Sequence, residues 1–308
     1  MLSGLILRRL VLLPLSLLGV ATAVFVVMRL LPGDPVEAML VEAGASPAVV
    51  AEWRDRYGIA EPLPEQYALY LAALAHGDLG RSIITGRSVL RMIAEQAPST
   101  LELAASSLLL STLVGGGLGV ISAQRAGTRL DGWVRLLAVA SVSLPTYWTG
   151  ILAILLFSAG LHWLPAGGQG SWRHLVLPTL TLGLASTGVL ARLVRASVLE
   201  VMGQPYVQLA RAKGLPQRLL LGRHVLRASA SPIVTFLGLQ VGFLLAGTAV
   251  TETVFSRRGL GRLLVEAVVS KDYPLAQGCI LLAALTYTLA NTGSDLAAYW
   301  LDPRLRES

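Results

Sequence analysis

The chain has 308 residues, 54% of them hydrophobic and only 14% charged, with a net charge of +7, and its mean hydropathy is +0.64. A soluble domain carries about 25% charged residues, so the composition excludes an ordinary soluble enzyme and indicates a multi-span membrane protein. Its excess of arginine then belongs to cytoplasmic loops rather than to a nucleic-acid face, and the single cysteine, Cys279, excludes an internal disulfide or a thiolate metal cluster.

Arg8 and Arg9 precede an apolar run over 10–31, which is long enough to cross a bilayer. It ends in Arg29-Leu-Leu-Pro-Gly-Asp-Pro35 with no small-residue cleavage site, so 1–31 is expected to be the N-terminus and a retained first span. An outer segment, 32–98, follows. Ser46-Pro47 starts a helix that Gly58 closes, a second helix runs over 64–76 to Gly77, and a third covers 88–96. With nine acidic and five basic residues and few apolar ones, the segment is expected to pack on the outer ends of the spans.

The remainder, 99–308, holds five more apolar runs: 99–123, 133–160, 175–195, 232–254 and 275–299. In lipid each must be helical, because every backbone polar group needs an internal partner. Pro145, Pro178 and Pro232 are expected to bend these helices or mark their starts. The stretch 257–274 is amphipathic and too polar to span, and is expected to lie at the outer surface or to dip in and return. With the N-terminus inside, the inner segments hold fourteen arginines and lysines against five in the short outer loops, which predicts that both termini are cytoplasmic.

Between the fourth and fifth spans lies an inner loop, 196–231. In Ala210-Arg-Ala-Lys-Gly214 the cations occupy the last turn of a helix, glycine follows it, and Pro216 comes two residues later, a strong stop signal. A second short helix is expected to begin at Pro216, at an angle to the first. Spacing alone leaves two readings open, a docking element for a partner and an ordinary basic loop.

The loop resembles the cytoplasmic coupling loop of ABC-importer permeases, in particular the dipeptide/oligopeptide/nickel permease family. The matching residues are Tyr206, Val207, Ala210, Arg211, Ala212, Lys213, Gly214 and Leu215, then His224, Leu226, Arg227 and Pro232. The generic Glu-Ala-Ala of the superfamily is Gln208-Leu209-Ala210 here. Further matches are the Arg29–Pro35 stretch, His76-Gly-Asp-Leu-Gly-Arg-Ser82, Pro98-Ser-Thr-Leu101, Leu144-Pro-Thr-Tyr-Trp148, Leu164-Pro165, His174-Leu-Val-Leu-Pro178, Ala191-Arg-Leu-Val-Arg-Ala-Ser197, Glu252-x-x-Phe255, Gly259-Leu-Gly261, Asp272-Tyr-Pro274, Asn291, Asp295 and Leu301-Asp-Pro-Arg304, so the likeness covers nearly the whole chain. One departure is Arg258, where the family has proline.

The resemblance implies an all-α membrane protein with six transmembrane helices, the type I ABC-importer permease fold, in a bacterial inner membrane. It implies a second homologous permease, two ATPase subunits that carry ATP and magnesium, and an external substrate-binding protein. This chain is expected to bind no cofactor, metal or nucleic acid and to hydrolyse nothing, since it has no G-x-x-x-x-G-K-[ST] loop and neither Lys213 nor Lys271 follows a glycine. Tyr206, Ala210, Arg211, Ala212, Lys213, Gly214 and Leu215 are then the contacts that couple to the ATPase. Glu252, Phe255, Arg257, Arg258, Gly259 and Gly261 are candidates for the outer gate and the binding-protein contact. The family carries short peptides, and also nickel, metal–opine chelates and glutathione.

Ionisable groups in or near spans are functional candidates; here they are Glu102, Glu252 and Asp295, all close to span ends. His76, His162, His174 and His224 lie outside span centres without ligand spacing. An intramembrane enzyme would need a paired-aspartate or H-E-x-x-H site, which is missing. A stand-alone secondary transporter would want charged or broken helices at the midplane and internal repeats.

Overall fold

The computed structural model describes residues 2–30, 34, 36–37, 40, 45–56 and 58–301, and these are helical apart from turns, loops and one antiparallel backbone pairing between Arg81 and Ser88. Leu31–Gly33, Pro35, Asp302–Arg304, Arg306 and Ser308 lie outside the described residues. The helices are α1 (Leu2–Leu30), α2 (Pro47–Arg56), α3 (Leu63–Ala75), α4 (Val89–Gln124), α5 (Arg129–Ser143), α6 (Thr146–Gly160), α7 (Arg173–Met202), α8 (Pro205–Ala212), α9 (Gln217–Val254), α10 (Leu260–Val269) and α11 (Tyr273–Leu301).

Five of these, α1, α4, α7, α9 and α11, are individually long and apolar enough to cross a membrane. The sixth expected span, 133–160, is instead the pair α5–α6, bent by 102°. Proline disfavours the α region for the residue before it. Leu144 is accordingly extended (φ −87°, ψ 128°) and Pro145 opens α6, its carbonyl accepting the Thr149 N–H at 3.1 Å.

Four other prolines do not act as boundaries, the first being Pro14 inside α1. Pro98 lies inside α4, so the third helix of the 32–98 segment and the second span are one column. Pro178 lies inside α7 and Pro232 inside α9. The expected second short helix of the inner loop therefore does not end; starting at Gln217 it continues through a π-helical stretch, Leu220–Val225, to Val254. Spanning helices tolerate a proline because local π adjustments and packed neighbours absorb the missing bond. Around Pro98, Val89, Met92 and Ile93 are buried on one side and Leu103 and Ala104 on the other, so packing holds both arms in line.

Two buried clusters mark the ends of the bundle. At one end Val36, Val50 and Ile83 join Met28 of α1, Ala267 of α10 and Leu275, Ala276 and Cys279 of α11. The turn at 81–88 is tied down by Asp272, whose carboxylate accepts from the Ser82 hydroxyl and, at 3.1 Å, from the Ile83 N–H. Helix α3 lies on α1 through a Thr22–Tyr67 hydroxyl pair at 2.6 Å and stacking of Tyr70 on Phe25. At the other end Ala123, Val194, Val198, Val207, Leu220 and Val225 form the second cluster. Many hydroxyls along the spans bond back to their own helices, as Thr187 does to the Gly183 carbonyl at 2.8 Å, whereas the buried Thr181 hydroxyl of α7 has no hydrogen-bond partner.

Candidate functional site

The inner loop is built around α8. Pro205 occupies its first turn, where the missing N–H has no helical partner in any case. Its C-terminal end is the glycine stop: the Gly214 N–H bonds the Arg211 carbonyl at 3.0 Å and the Leu215 N–H bonds the Ala210 carbonyl at 3.3 Å. Gly214 has φ +79°, a left-handed backbone open to glycine at little cost. Val207 is fully buried in the second cluster and Ala210 packs against it. That anchors one face of α8 on α7 and α9. The opposite face presents Tyr206 and Leu209, 42% and 57% exposed, beside the exposed Arg211, Ala212 and Lys213, while Leu215 is half-buried. An exposed aromatic and leucine beside two cations form an adhesive patch on a fixed base.

A carboxylate that local pattern did not single out braces this end. Asp131, 1% exposed, accepts from Arg195 Nε and Nη2 at 2.8 and 2.9 Å, from Ser122 Oγ at 2.6 Å and from the Gly127 N–H at 3.0 Å. It joins the end of α4, the turn after it, α5 and α7. The local sequence signal is Thr128, whose side chain accepts the Asp131 N–H as an N-cap; Arg195 lies in the family-like stretch Ala191–Ser197, but nothing in it points to Asp131. Removing one partner of such a bridge leaves a buried charge uncompensated. Asp131→Ala is expected to cost about 3 kcal/mol and to lower the unfolding midpoint in detergent, whereas Arg135→Ala, on an exposed side chain 3.8 Å from the carboxylate, is expected to be nearly neutral.

At the opposite end, Glu252 at the tip of α9 is completely buried. Its Oε1 accepts from Thr100 Oγ1 at 2.6 Å and its Oε2 from the Arg262 N–H at 3.0 Å. Thr100 Oγ1 in turn accepts the Leu260 N–H at 2.7 Å. The free N–H groups at the start of α10 are thus capped by side chains from α4 and α9. The two glycines of Gly259-Leu-Gly261 are needed for room: a Cβ on Gly259 would fall 2.2 Å from the Glu252 carboxylate, and one on Gly261 2.4 Å from the Ala249 nitrogen. Phe255 is buried, and its carbonyl accepts the Gly168 N–H at 2.9 Å. Thr100 and Gly261 also border an apolar cavity of about 690 Å³ between α4, α9, α10 and α11.

Arg257 departs from expectation. It is 4% exposed and its guanidinium pairs with Glu102. It is a buried link between α9 and α4, because the fold sets a carboxylate opposite it, and is no surface contact. Arg258 is exposed, and its carbonyl accepts from Gln169 Nε2. The structure therefore brings Glu252, Phe255, Arg257, Gly259 and Gly261 together at the start of α10 and leaves Arg258 at the rim. Thr100 and Ser99, which complete this cluster, lie in the family-like stretch Pro98-Ser-Thr-Leu101, but nothing in the sequence assigns them to Glu252 and Arg257.

Residues 115–307 match the family described as binding-protein-dependent transport system inner membrane component, and residues 1–104 match its N-terminal companion. The di/tripeptide transport system permease protein DppB of Pseudomonas aeruginosa is 39% identical over 97% of each chain. The glutathione transport system permease protein GsiC of Salmonella paratyphi A is 39% identical over 98% of each. The probable D,D-dipeptide transport system permease protein DdpB of Escherichia coli K12 is 36% identical over 93% of each. Among solved structures, an inward-facing MetNI methionine ABC transporter matches with a TM-score of 0.57, covering 69% of this chain and 97% of that one; at 16% identity this likeness concerns the fold alone. A multi-pass helical chain with an anchored, exposed inner-loop helix and these relatives belongs to the binding-protein-dependent transport family, as a membrane-embedded permease subunit of a bacterial ABC importer.

Proposed function

We propose that this chain forms half of a translocation pathway for short peptides handed over by an external binding protein. The carrying observation is α8: Val207 holds it on the bundle while Tyr206, Leu209, Arg211 and Lys213 face outward, the arrangement expected of a helix gripped by an ATPase subunit. The second half of the pathway is a homologous permease. Supporting this, Leu239, Phe243, Ala246 and Val250 line one exposed apolar face of α9 at helical spacing, with Phe243 71% exposed. Two ATPase subunits supply ATP and magnesium, and this chain binds neither. Both termini lie in the cytoplasm, so α8 faces the ATPases and the 32–98 segment faces outward. Short peptides follow from the di/tripeptide and D,D-dipeptide relatives; glutathione, itself a tripeptide, is the variant favoured by the GsiC relatives at equal identity.

The test is reconstitution of this chain with its companion permease, ATPases and binding protein in proteoliposomes. ATP-driven accumulation of a labelled dipeptide that requires all components is expected. Uptake by this chain alone, driven by an ion gradient, would overturn the proposal in favour of a secondary transporter. In cells, a tag at Ser308 is expected to be inaccessible from outside and one at Gly86 accessible.

The rim of the capped α10 is the proposed landing surface for the binding protein. Because Arg257 is buried, the surface charge there belongs to Arg258. Arg258→Glu is expected to weaken docking and flatten its salt dependence, since exposed charges act within a Debye length of about 8–10 Å at moderate salt. Unchanged affinity and salt slope in a titration would exclude this surface.

A further inference from the structure

We propose that the chain carries a phospholipid site between α1, α3 and α11, with the lipid phosphate on Arg29 and an acyl chain in the groove that leads away from it. The groove is apolar, about 680 Å³, and its walls include Leu17, Leu18, Ala21, Leu74, Ile93 and Leu281. It adjoins a smaller mouth of about 200 Å³ bordered by Arg29, Gln66, Tyr70, Asp78 and Gln277, and the two share Leu74, Leu79, Gly278 and Leu281 as walls.

The mouth is short of an anion. Arg29 donates from Nε to Gln66 Oε1 at 2.9 Å and from Nη1 to the Phe25 carbonyl at 3.4 Å, and its guanidinium lies 3.5 Å from the centre of the Phe25 ring. Among the described residues no carboxylate pairs with it. Other arginines at this end do have one: Arg54 pairs with Asp34, Arg87 with Glu95 and Arg257 with Glu102. Two further polar atoms beside the mouth, Gln277 Nε2 and the Tyr70 hydroxyl, are buried with no hydrogen-bond partner. Asp78, the carboxylate at the rim, accepts the Gly80 N–H at 2.8 Å. A partly buried guanidinium with spare donors is costly to leave without a counter-ion, and a phosphate oxygen is the acceptor it matches best.

The apolar continuation selects a lipid over a free anion. Arg29 ends a spanning helix, and Ala21 and Leu18 lie eight to eleven residues back along it, roughly 12–16 Å at 1.5 Å per residue. That is about the hydrocarbon depth of one leaflet, half of a core of about 30 Å. A glycerophospholipid joins a phosphodiester at the interface to a chain of that reach. The inference does not depend on which substrate the importer carries.

The experiment is native mass spectrometry of the full chain, reconstituted in phosphatidylethanolamine bilayers and released under delipidating conditions. The wild type is expected to retain one phospholipid. Arg29→Gln is expected to reduce retention about tenfold, the loss of one charge-assisted contact. Ala75→Trp, which fills the groove from an exposed position without touching the mouth, is expected to do the same while leaving helicity unchanged. Retention at the wild-type level in both variants, no retained lipid in the wild type, or cross-linking of groove residues to a helix of another subunit would each overturn the site.

Discussion

Replacing Gly214 with valine is expected to leave the chain inserted and folded but to lower transport, and the substrate-stimulated ATPase of the assembled importer, about tenfold or more. A Cβ at this position meets nothing within 4 Å, so crowding plays no part. The whole effect lies in the backbone, which has φ +79°. An L-residue there costs roughly 1–2 kcal/mol, and a β-branched one more, since it is an outlier at positive φ. The chain escapes the strain by leaving the left-handed conformation. Doing so redirects the link between α8 and α9 and turns the exposed Tyr206, Leu209, Arg211 and Lys213 away from their partner, while Val207 still anchors the helix. Each 1.4 kcal/mol of lost docking is a tenfold change in the coupled population. Asparagine, which tolerates the left-handed region, is expected to keep most of the activity. Gly214→Val with wild-type uptake and ATPase stimulation in proteoliposomes would remove α8 from the coupling role.

Glu252→Ala is expected to have the second large effect: higher ATPase activity without binding protein, weaker stimulation by it, and a lower unfolding midpoint. The carboxylate is shared by Thr100 Oγ1, in buried surroundings, and the Arg262 N–H, in partly buried ones. Alanine leaves both without an acceptor, at about 1–3 kcal/mol for a buried group. The N-terminus of α10 loses its link to α9, and the contact that holds this helix across the ends of α4 and α9 is broken. If α10 closes the outer end of the pathway, the resting state is destabilised relative to the open one. Glu252→Gln retains one carbonyl acceptor and is expected to fall between the two. Glu266→Ala is the control: its partner is Arg262 in an exposed i,i+4 pair, worth only a few tenths of a kcal/mol. A Glu252→Ala variant that loses stability but keeps wild-type basal and stimulated ATPase would make the carboxylate a structural cap with no part in gating.

Much of this protein follows from local pattern. Apolar runs of spanning length set the membrane class, because the bilayer leaves the backbone few alternatives to a helix. The order Arg211, Lys213, Gly214, Pro216 predicted a helix ending in a left-handed glycine, and α8 with its φ of +79° at Gly214 has that form. The amphipathic 257–274 stretch holds the short helix α10, too short to cross. These features depend on residues within a turn or two of one another, where propensity and capping act.

Other features depend on which helix faces meet. Pro98, Pro145, Pro178 and Pro232 have the same chemistry, yet only Pro145 breaks its helix. Buried neighbours flank Pro98 on both sides, while Leu144 is free to take the extended conformation that proline favours in the residue before it. Arg257 reads as a surface charge until Glu102, 155 positions away, is set opposite it. The braces at both ends have the same character. Asp131 meets Arg195 across 64 positions, Thr100 meets Glu252 across 152, and Ser82 meets Asp272 across 190. A buried carboxylate needs a partner wherever the chain can supply one. Local pattern places these groups near the span ends, and the packing of α4, α5, α7, α9 and α10 chooses their partners.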